Sequence, residues 1–267
     1  MIGLLGCYQA NSASVNVATM LASVPETLSA ETVAAEGGAF ARIAHGSGRS
    51  GSIERDGDLS VLVCGEIFNL EKFDDLDAAS DSAAALLLSL AKHDRLDRLA
   101  AVNGQFSAVI YDCAGRRLRL ITDRLATFPL HYWQGPDELV FATHLYTLIA
   151  HSSVPCRADG EALAQLFTMQ RTIGRTTPLA DIAAMPAATI LEFNASGRRE
   201  RRYWDLTWRK RDFSLDEGAE LLADAMRGAV ARQTRGSRIG LLLSGGLDSR
   251  AVLAAAEQGR MSSWTTA

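Results

Sequence analysis

The sequence predicts an α+β protein: antiparallel sheet interrupted by helices, followed by the start of an α/β unit. Three observations carry this. Through about residue 204, short apolar runs alternate with turn signals, the pattern of hairpins. Two stretches among them place apolar residues at helical spacing behind a capping residue. Beyond about residue 205, a long amphipathic stretch leads into a continuous apolar run, a glycine-bearing loop and an Ala-rich stretch. That is the order of a buried parallel strand entering a helix.

Along the chain, Ser52–Arg55 and Asp58–Cys64 form the first hairpin around Asp56-Gly57, because Asp-Gly accepts the positive φ values of a type I′ turn. Ser80 is placed as the cap of a helix running to His93. Phe106–Tyr111 and Leu118–Thr122 flank the Asp112–Arg117 turn, and Asp159–Met169 is a second helix with Asp as its cap. Thr189–Phe193 and Arg201–Trp204 flank Asn194-Ala195-Ser196-Gly197. The charged connector Arg209-Lys210-Arg211 marks a change of character, so two domains are expected, 1–204 and 205–267. Ser214 caps a helix to about Arg232, with Asp216 and Glu217 in the first turn, where the helix dipole favours them. Ile239–Leu243 is the buried strand, Asp248–Gln258 the following helix, and Ser263–Thr266 the start of another strand.

Composition narrows the function classes. Of 267 residues, 48% are hydrophobic and 22% charged, which excludes disordered, collagen-like and coiled-coil chains. A net charge of −4 provides no global field for a nucleic acid, so none is expected as partner, and Arg198–Arg202 is expected to be a solvated face. The apolar runs fall short of the ~20 residues that span a bilayer. Met1–Cys7 lacks the basic residues and apolar length of an export signal, and the four cysteines lie far apart, so a reducing cytoplasm is expected. Cys7, Cys113 and Cys156 are expected to be small core residues. The five histidines show no metal-ligand spacing and predict no metal site.

Chemistry is concentrated in Ser244-Gly245-Gly246-Leu247-Asp248-Ser249, where a strand gives way to a helix and backbone amides converge on one point. An anion belongs there. The loop has no lysine and lacks the spacing of a Walker A loop. It resembles the PP-loop of the ATP pyrophosphatases, which hold the β and γ phosphates while the α phosphorus is attacked.

With that loop as anchor, three upstream segments fall into place: Gly65-Glu66-Ile67-Phe68-Asn69, Asn103-Gly104-Gln105-Phe106, and Asp123-Arg124 with Pro129-Leu130. Together with Tyr203-Trp204-Asp205, they resemble the asparagine synthetase family over nearly the whole chain. The resemblance implies an Ntn-hydrolase-like α/β/β/α sandwich of the class II glutamine amidotransferase type over 1–204. It further implies the first part of a PP-loop synthetase domain over 205–267. Ser244, Gly245, Gly246, Asp248 and Ser249 would then bind the pyrophosphate portion of ATP, with Leu243 near the adenine and Asp248 on Mg²⁺, an ion that prefers oxygen ligands.

The departures from the family pattern are as informative. The family's cysteine nucleophile follows the initiator Met, where its own α-amine serves as base. Here Ile2 stands in that place. The family's Asn-Gly-Glu, whose Asn helps form the oxyanion hole, is Cys64-Gly65-Glu66, so the amide donor is missing too. Glu66 and Asp81 match positions that hold the glutamine amino group, and Ala126 replaces a family Gly. Cys7 cannot substitute for the missing thiol. Five residues along a strand place it on the opposite face and about 17 Å away.

The expected function is an ATP-dependent, amide-forming ligase that adenylates a small-molecule or peptide carboxylate without hydrolysing glutamine. Lasso peptide macrolactam cyclases and β-lactam synthetases are the relatives that resemble it in lacking the thiol, and the lasso peptide cyclase is the preferred branch. An asparagine synthase, using glutamine or ammonia, is the alternative; a non-catalytic remnant or interaction module is the third reading. The 267 residues are expected to be incomplete as a ligase, since one strand-helix unit does not build a synthetase crevice. The strand at Ile239–Leu243 is expected to offer an exposed edge that favours association, with a second copy or a helper protein as partner.

Overall fold

The computed structural model describes residues 2–12, 15–45, 51–76, 82–235, 239–256 and 261–266. They fall into two compact units, Met1–Asp205 and Leu206–Ala267. In chain order the first holds β1 (Gly3–Tyr8), α1 (Ala18–Ala22), β2 (Ser29–Ala35), β3 (Gly38–Ala44), β4 (Gly51–Asp56), β5 (Leu59–Ile67), α2 (Ala83–Lys92) and β6 (Gly104–Asp112). There follow β7 (Arg117–Thr122), β8 (His131–Gln134), β9 (Leu139–Ala142), α3 (Leu145–Ile149), α4 (Gly160–Met169), β10 (Ile182–Ala184), β11 (Thr189–Asn194) and β12 (Gly197–Arg202).

The strands form two antiparallel six-stranded sheets, ordered β10-β8-β9-β1-β3-β2 and β12-β11-β7-β6-β5-β4. Side chains alternate across a strand, so each sheet has two faces to bury. On β1, Leu4 and Tyr8 point between the sheets, whereas Leu5 and Cys7 point outward to Met20 of α1 and Leu148 of α3. On β5, Leu62 and Cys64 point between the sheets, whereas Val61, Val63 and Ile67 face Leu86, Leu87 and Leu90 of α2. The result is an α/β/β/α sandwich with three apolar layers. Aromatic pairs join the two sheets across the central layer. Phe40 and Tyr111 have ring centroids 5.0 Å apart, and Tyr8 and Tyr111 6.1 Å, each pair contributing about 0.5–1.5 kcal/mol beyond its buried area.

Several expectations shift. The first hairpin closes with Asp56 opposite Leu59, so its loop is Gly57-Asp58, one residue later than expected. Gly57 takes φ +57° and Asp58 does not, the pattern of a type II′ turn instead of I′. The helix α2 is capped by Ser82, whose Oγ accepts from the Ala85 amide at 3.1 Å, and Ser80 lies outside the described residues. The strand β12 starts at Gly197, four residues early, because the Ser196 amide donates to Asn194 Oδ1 at 2.8 Å and tightens the turn. All six β12 residues are exposed. Cys7 and Cys64 are buried, but Cys113 is only half-buried and Cys156 is exposed, so neither of these two is a core residue.

The second unit holds α5 (Leu215–Gln233), β13 (Ile239–Leu243), α6 (Leu247–Ala255) and β14 (Met261–Thr266). Ser214 and Glu217 form a reciprocal capping box at the start of α5. The strands β13 and β14 pair in parallel, giving a strand-helix-strand unit in which one edge of β13 is occupied. Among the described residues, no helix is long and apolar enough to cross a membrane.

Candidate functional site

The candidate site lies where β1 begins, beside the central apolar layer. Ile2 packs against that layer, on the same side of β1 as Leu4. The strand end is held by Thr143, whose amide donates to the Leu4 carbonyl at 2.9 Å while its Oγ1 accepts from the Leu4 amide at 3.1 Å. A His144 ring nitrogen approaches the Ile2 carbonyl at 3.3 Å. Residue 2 is therefore firmly positioned, and it offers a saturated side chain.

From the opposite sheet, Cys64 enters the same layer, fully buried. Burial pushes its thiol up to about 12, and the nearby Arg42 guanidinium only partly offsets this. The sulfur is thus a protonated thiol, neither a nucleophile nor an amide donor. Gly65 follows at φ +104°, with its Cα facing Phe106 in the ladder. A Cβ there would stand 2.0 Å from the Gln105 carbonyl oxygen, so the backbone turns in a way only glycine permits. Glu66 is exposed opposite Gln105. Asp81 lies outside the described residues. The fold therefore brings Ile2 and Cys64 to one layer, with buried Gly65 and exposed Glu66 following along β5.

Two further polar groups are buried, and of these Arg42 went unnoticed in the sequence. Arg42 is 6% exposed, points between the sheets like Phe40 two residues earlier, and holds Glu31 on the neighbouring strand through Nη2 at 3.0 Å and Nε at 3.3 Å. A lone arginine in the otherwise apolar run Gly38–Ala44 was the available signal. Asp123 is 1% exposed and accepts from the amides of Phe106, Leu125 and Thr127 at 2.8–3.0 Å. It ties the Asp123 turn to β6. Ala126, in that turn, adopts φ +51°, which explains why a glycine suits the position.

In the second unit, Ser244–Gly246 link β13 to α6 and are exposed. Gly245 takes φ +78°, and Gly246 caps α6 without a side-chain acceptor on the first amides. Ser244 Oγ lies 3.3 Å from Ser249 Oγ, and the Ser249 hydroxyl donates to the Gly246 carbonyl at 3.2 Å. The Gly246 amide makes only a long 3.4 Å contact to Ser244 Oγ, and a helix N-terminus with two hydroxyls and open space fits an anion. Leu243 precedes the loop on β13, and Asp248 sits in the first turn of α6.

A family model described as a glutamine amidotransferase domain matches residues 43–204. Over 234 residues the chain is 27% identical to the glutamine-hydrolyzing asparagine synthetase 2 of Bacillus subtilis, covering 77% of this chain and 30% of that one. Over 205 residues it is 28% identical to the carboxyethyl-arginine β-lactam-synthase of Streptomyces clavuligerus, covering 74% and 37%. It thus spans about a third of the length of these curated relatives. Among solved structures it is similar to the glutamine phosphoribosylpyrophosphate amidotransferase from B. subtilis, with a TM-score of 0.50, 11% identity, and coverage of 99% of this chain and 65% of that one. That likeness concerns the fold, which is of the Ntn-hydrolase type.

Proposed function

Because the chain belongs to the glutamine amidotransferase domain family, we propose that it is the amidotransferase-like part of an ATP-dependent, amide-forming ligase that does not hydrolyse glutamine. One observation carries the reading: the strand end that should present a thiol presents Ile2, packed against the central layer two residues before Leu4, which Thr143 holds in place. Cys64 adds no amide donor beside it. A ligase with this defect takes its amine from the substrate itself, as fits a β-lactam synthetase or a lasso peptide cyclase acting on a small-molecule or peptide carboxylate. The match to the Streptomyces clavuligerus enzyme supports that branch.

In this proposal Ser244, Gly245, Gly246, Asp248 and Ser249 hold the pyrophosphate portion of ATP. Leu243 lies towards the adenine, and Asp248 supplies an oxygen ligand to Mg²⁺. The test is carboxylate-dependent exchange of labelled pyrophosphate into ATP, measured on the protein at the length its gene specifies. Exchange should occur and be lost in Asp248→Ala; unchanged exchange in that variant refutes the assignment. The matches to asparagine synthetases favour a second reading, an ammonia-using asparagine synthase. Aspartate- and ammonia-dependent pyrophosphate release would establish it over the first.

A further inference from the structure

Away from the Ile2 end, on the outer face of the β1 sheet, three potential ligands from distant parts of the chain converge. The Cys7 sulfur, a Glu138 carboxylate oxygen and a ring nitrogen of His151 all lie within 4.8 Å of one another. The histidine spacing predicted no metal site. The fold supplies what spacing could not, because Cys7 and Glu138 are 131 residues apart. We propose that Cys7, Glu138 and His151 form a binding site for a single Zn²⁺-class cation, with solvent as the fourth ligand.

The donor set is that of zinc: one thiolate, one imidazole and one carboxylate. The separation fits as well. With Zn–S near 2.3 Å and Zn–O near 2.1 Å, a tetrahedral edge is about 3.6 Å, and Cys7 Sγ stands 3.7 Å from Glu138 Oε2. The remaining separations, all within 4.8 Å, close by about 1.4 Å at most when a tetrahedron forms, and Glu138 is half-buried and able to adjust.

The supports are rigid. Cys7 is on a central strand, Glu138 immediately precedes β9, and His151 is fastened to α3 through its amide to the Leu148 carbonyl at 3.2 Å. Gln9 Nε2 donates to Glu138 Oε2 at 3.0 Å and orients the carboxylate, as outer partners do at metal sites. The Ser153 amide makes a long 3.4 Å contact with His151 Nδ1 that a metal bond readily replaces. A cleft of about 250 Å³, lined by Tyr8, Gln134, Asp137 and Glu138, gives an ion a path to the carboxylate. Binding exchanges the Cys7 thiol proton for the metal, so one proton is released to solvent per ion bound.

The site makes no use of Ile2, Cys64 or the Ser244–Ser249 loop, so its test is independent of the proposed function. The 267-residue chain carrying Cys156→Ala, which removes the exposed thiol, is titrated with Co²⁺ and then Zn²⁺. One equivalent of Co²⁺ should produce a thiolate-to-metal charge-transfer band, release one proton and raise the Tm, and Zn²⁺ should displace it. Cys7→Ser should abolish the band. Glu138→Gln, at a half-buried position that leaves the core intact, should weaken binding at least tenfold. If Cys7→Ser does not fold, the Glu138→Gln titration decides. No band at one equivalent of Co²⁺, a band that survives Cys7→Ser, or undiminished affinity in Glu138→Gln would overturn the proposal.

Discussion

Gly65→Ala should be among the costliest single-methyl additions in the first unit, and the structure contains its own control. At Gly65 (φ +104°) the new Cβ would lie 2.0 Å from the Gln105 carbonyl oxygen and 2.8 Å from the Phe106 Cα, both backbone atoms. At Gly197, φ is +113° and nothing stands within 4 Å of the same methyl. The conformational penalty, about 1–2 kcal/mol for an L-residue on the left-handed side, is thus shared by the two sites. The unfolded-chain gain of about 0.4–1 kcal/mol is shared as well. The clash is not. Relieving it means parting β5 from β6, at a cost of about 1–3 kcal/mol for overpacking plus roughly one net ladder hydrogen bond of about 1 kcal/mol. Gly65→Ala should then cost about 3–5 kcal/mol and Gly197→Ala about 1 kcal/mol. For a unit of this size that is a Tm drop of about 10 °C against about 3 °C. Thermal and denaturant unfolding followed by far-UV circular dichroism measure both variants. Costs equal within about 0.5 kcal/mol would refute the claim that backbone crowding, and not φ alone, demands glycine beside the candidate site.

Three further predictions concern the same region. The unmutated chain should form no glutamate from glutamine, Ile2→Cys should stay nearly inactive, and Ile2→Cys with Cys64→Asn should recover weak turnover, since an oxyanion donor is worth about 10²–10³ in rate; clear turnover by the unmutated chain contradicts the reading of Ile2. Ala126→Gly should stabilise by about 0.5–1 kcal/mol, because it relieves a φ of +51° at a small entropic cost, and a fall in Tm would count against it. The Cys64 thiol keeps its proton to about 12 in the fold against an ordinary 9.0, so its contribution is full below pH 9.0 and fades as pH rises towards 12. Between about pH 8 and about pH 10.5 the chain should therefore lose about 2 kcal/mol more stability than Cys64→Ala does, and parallel pH profiles for the two proteins would contradict the shift.

Much of the second sheet was legible in the sequence, because its hairpins carry local turn chemistry: Asp56-Gly57, Asp112–Arg117 and Asn194–Gly197. The first sheet was not. The strands β8 and β9 are four residues each, and β3 is buried along its whole length, so the alternation that betrays a half-exposed strand is absent. Competing serines displaced the α2 cap from Ser80 to Ser82, since either hydroxyl suits the role and only the packed start of the helix selects one. At the candidate site, Gly65-Glu66 and Asp123 were visible as parts of short motifs. Arg42 was hidden because an arginine ordinarily marks a solvent-facing position, and only the register with Glu31 shows it turned inward. The meeting of Cys7, Glu138 and His151 depends on which strands become neighbours, and no local pattern encodes that.

The strand order has a consequence for how the protein is made. The strand β1 lies in the middle of its sheet, with Leu5 opposite both Ala41 and Ala142. One neighbour is synthesised shortly after it; the other follows about 137 residues later. At roughly 5–20 residues per second, a ribosome leaves β1 waiting about 7–27 s for β9. During that interval β1 can dock only on β3, and its other edge presents unpaired amides and carbonyls to whatever chain is nearby. The strand that positions residue 2 therefore keeps one edge open until β9 has been made, which makes the nascent chain's exposure to aggregation a matter of elongation rate and chaperone occupancy instead of final stability.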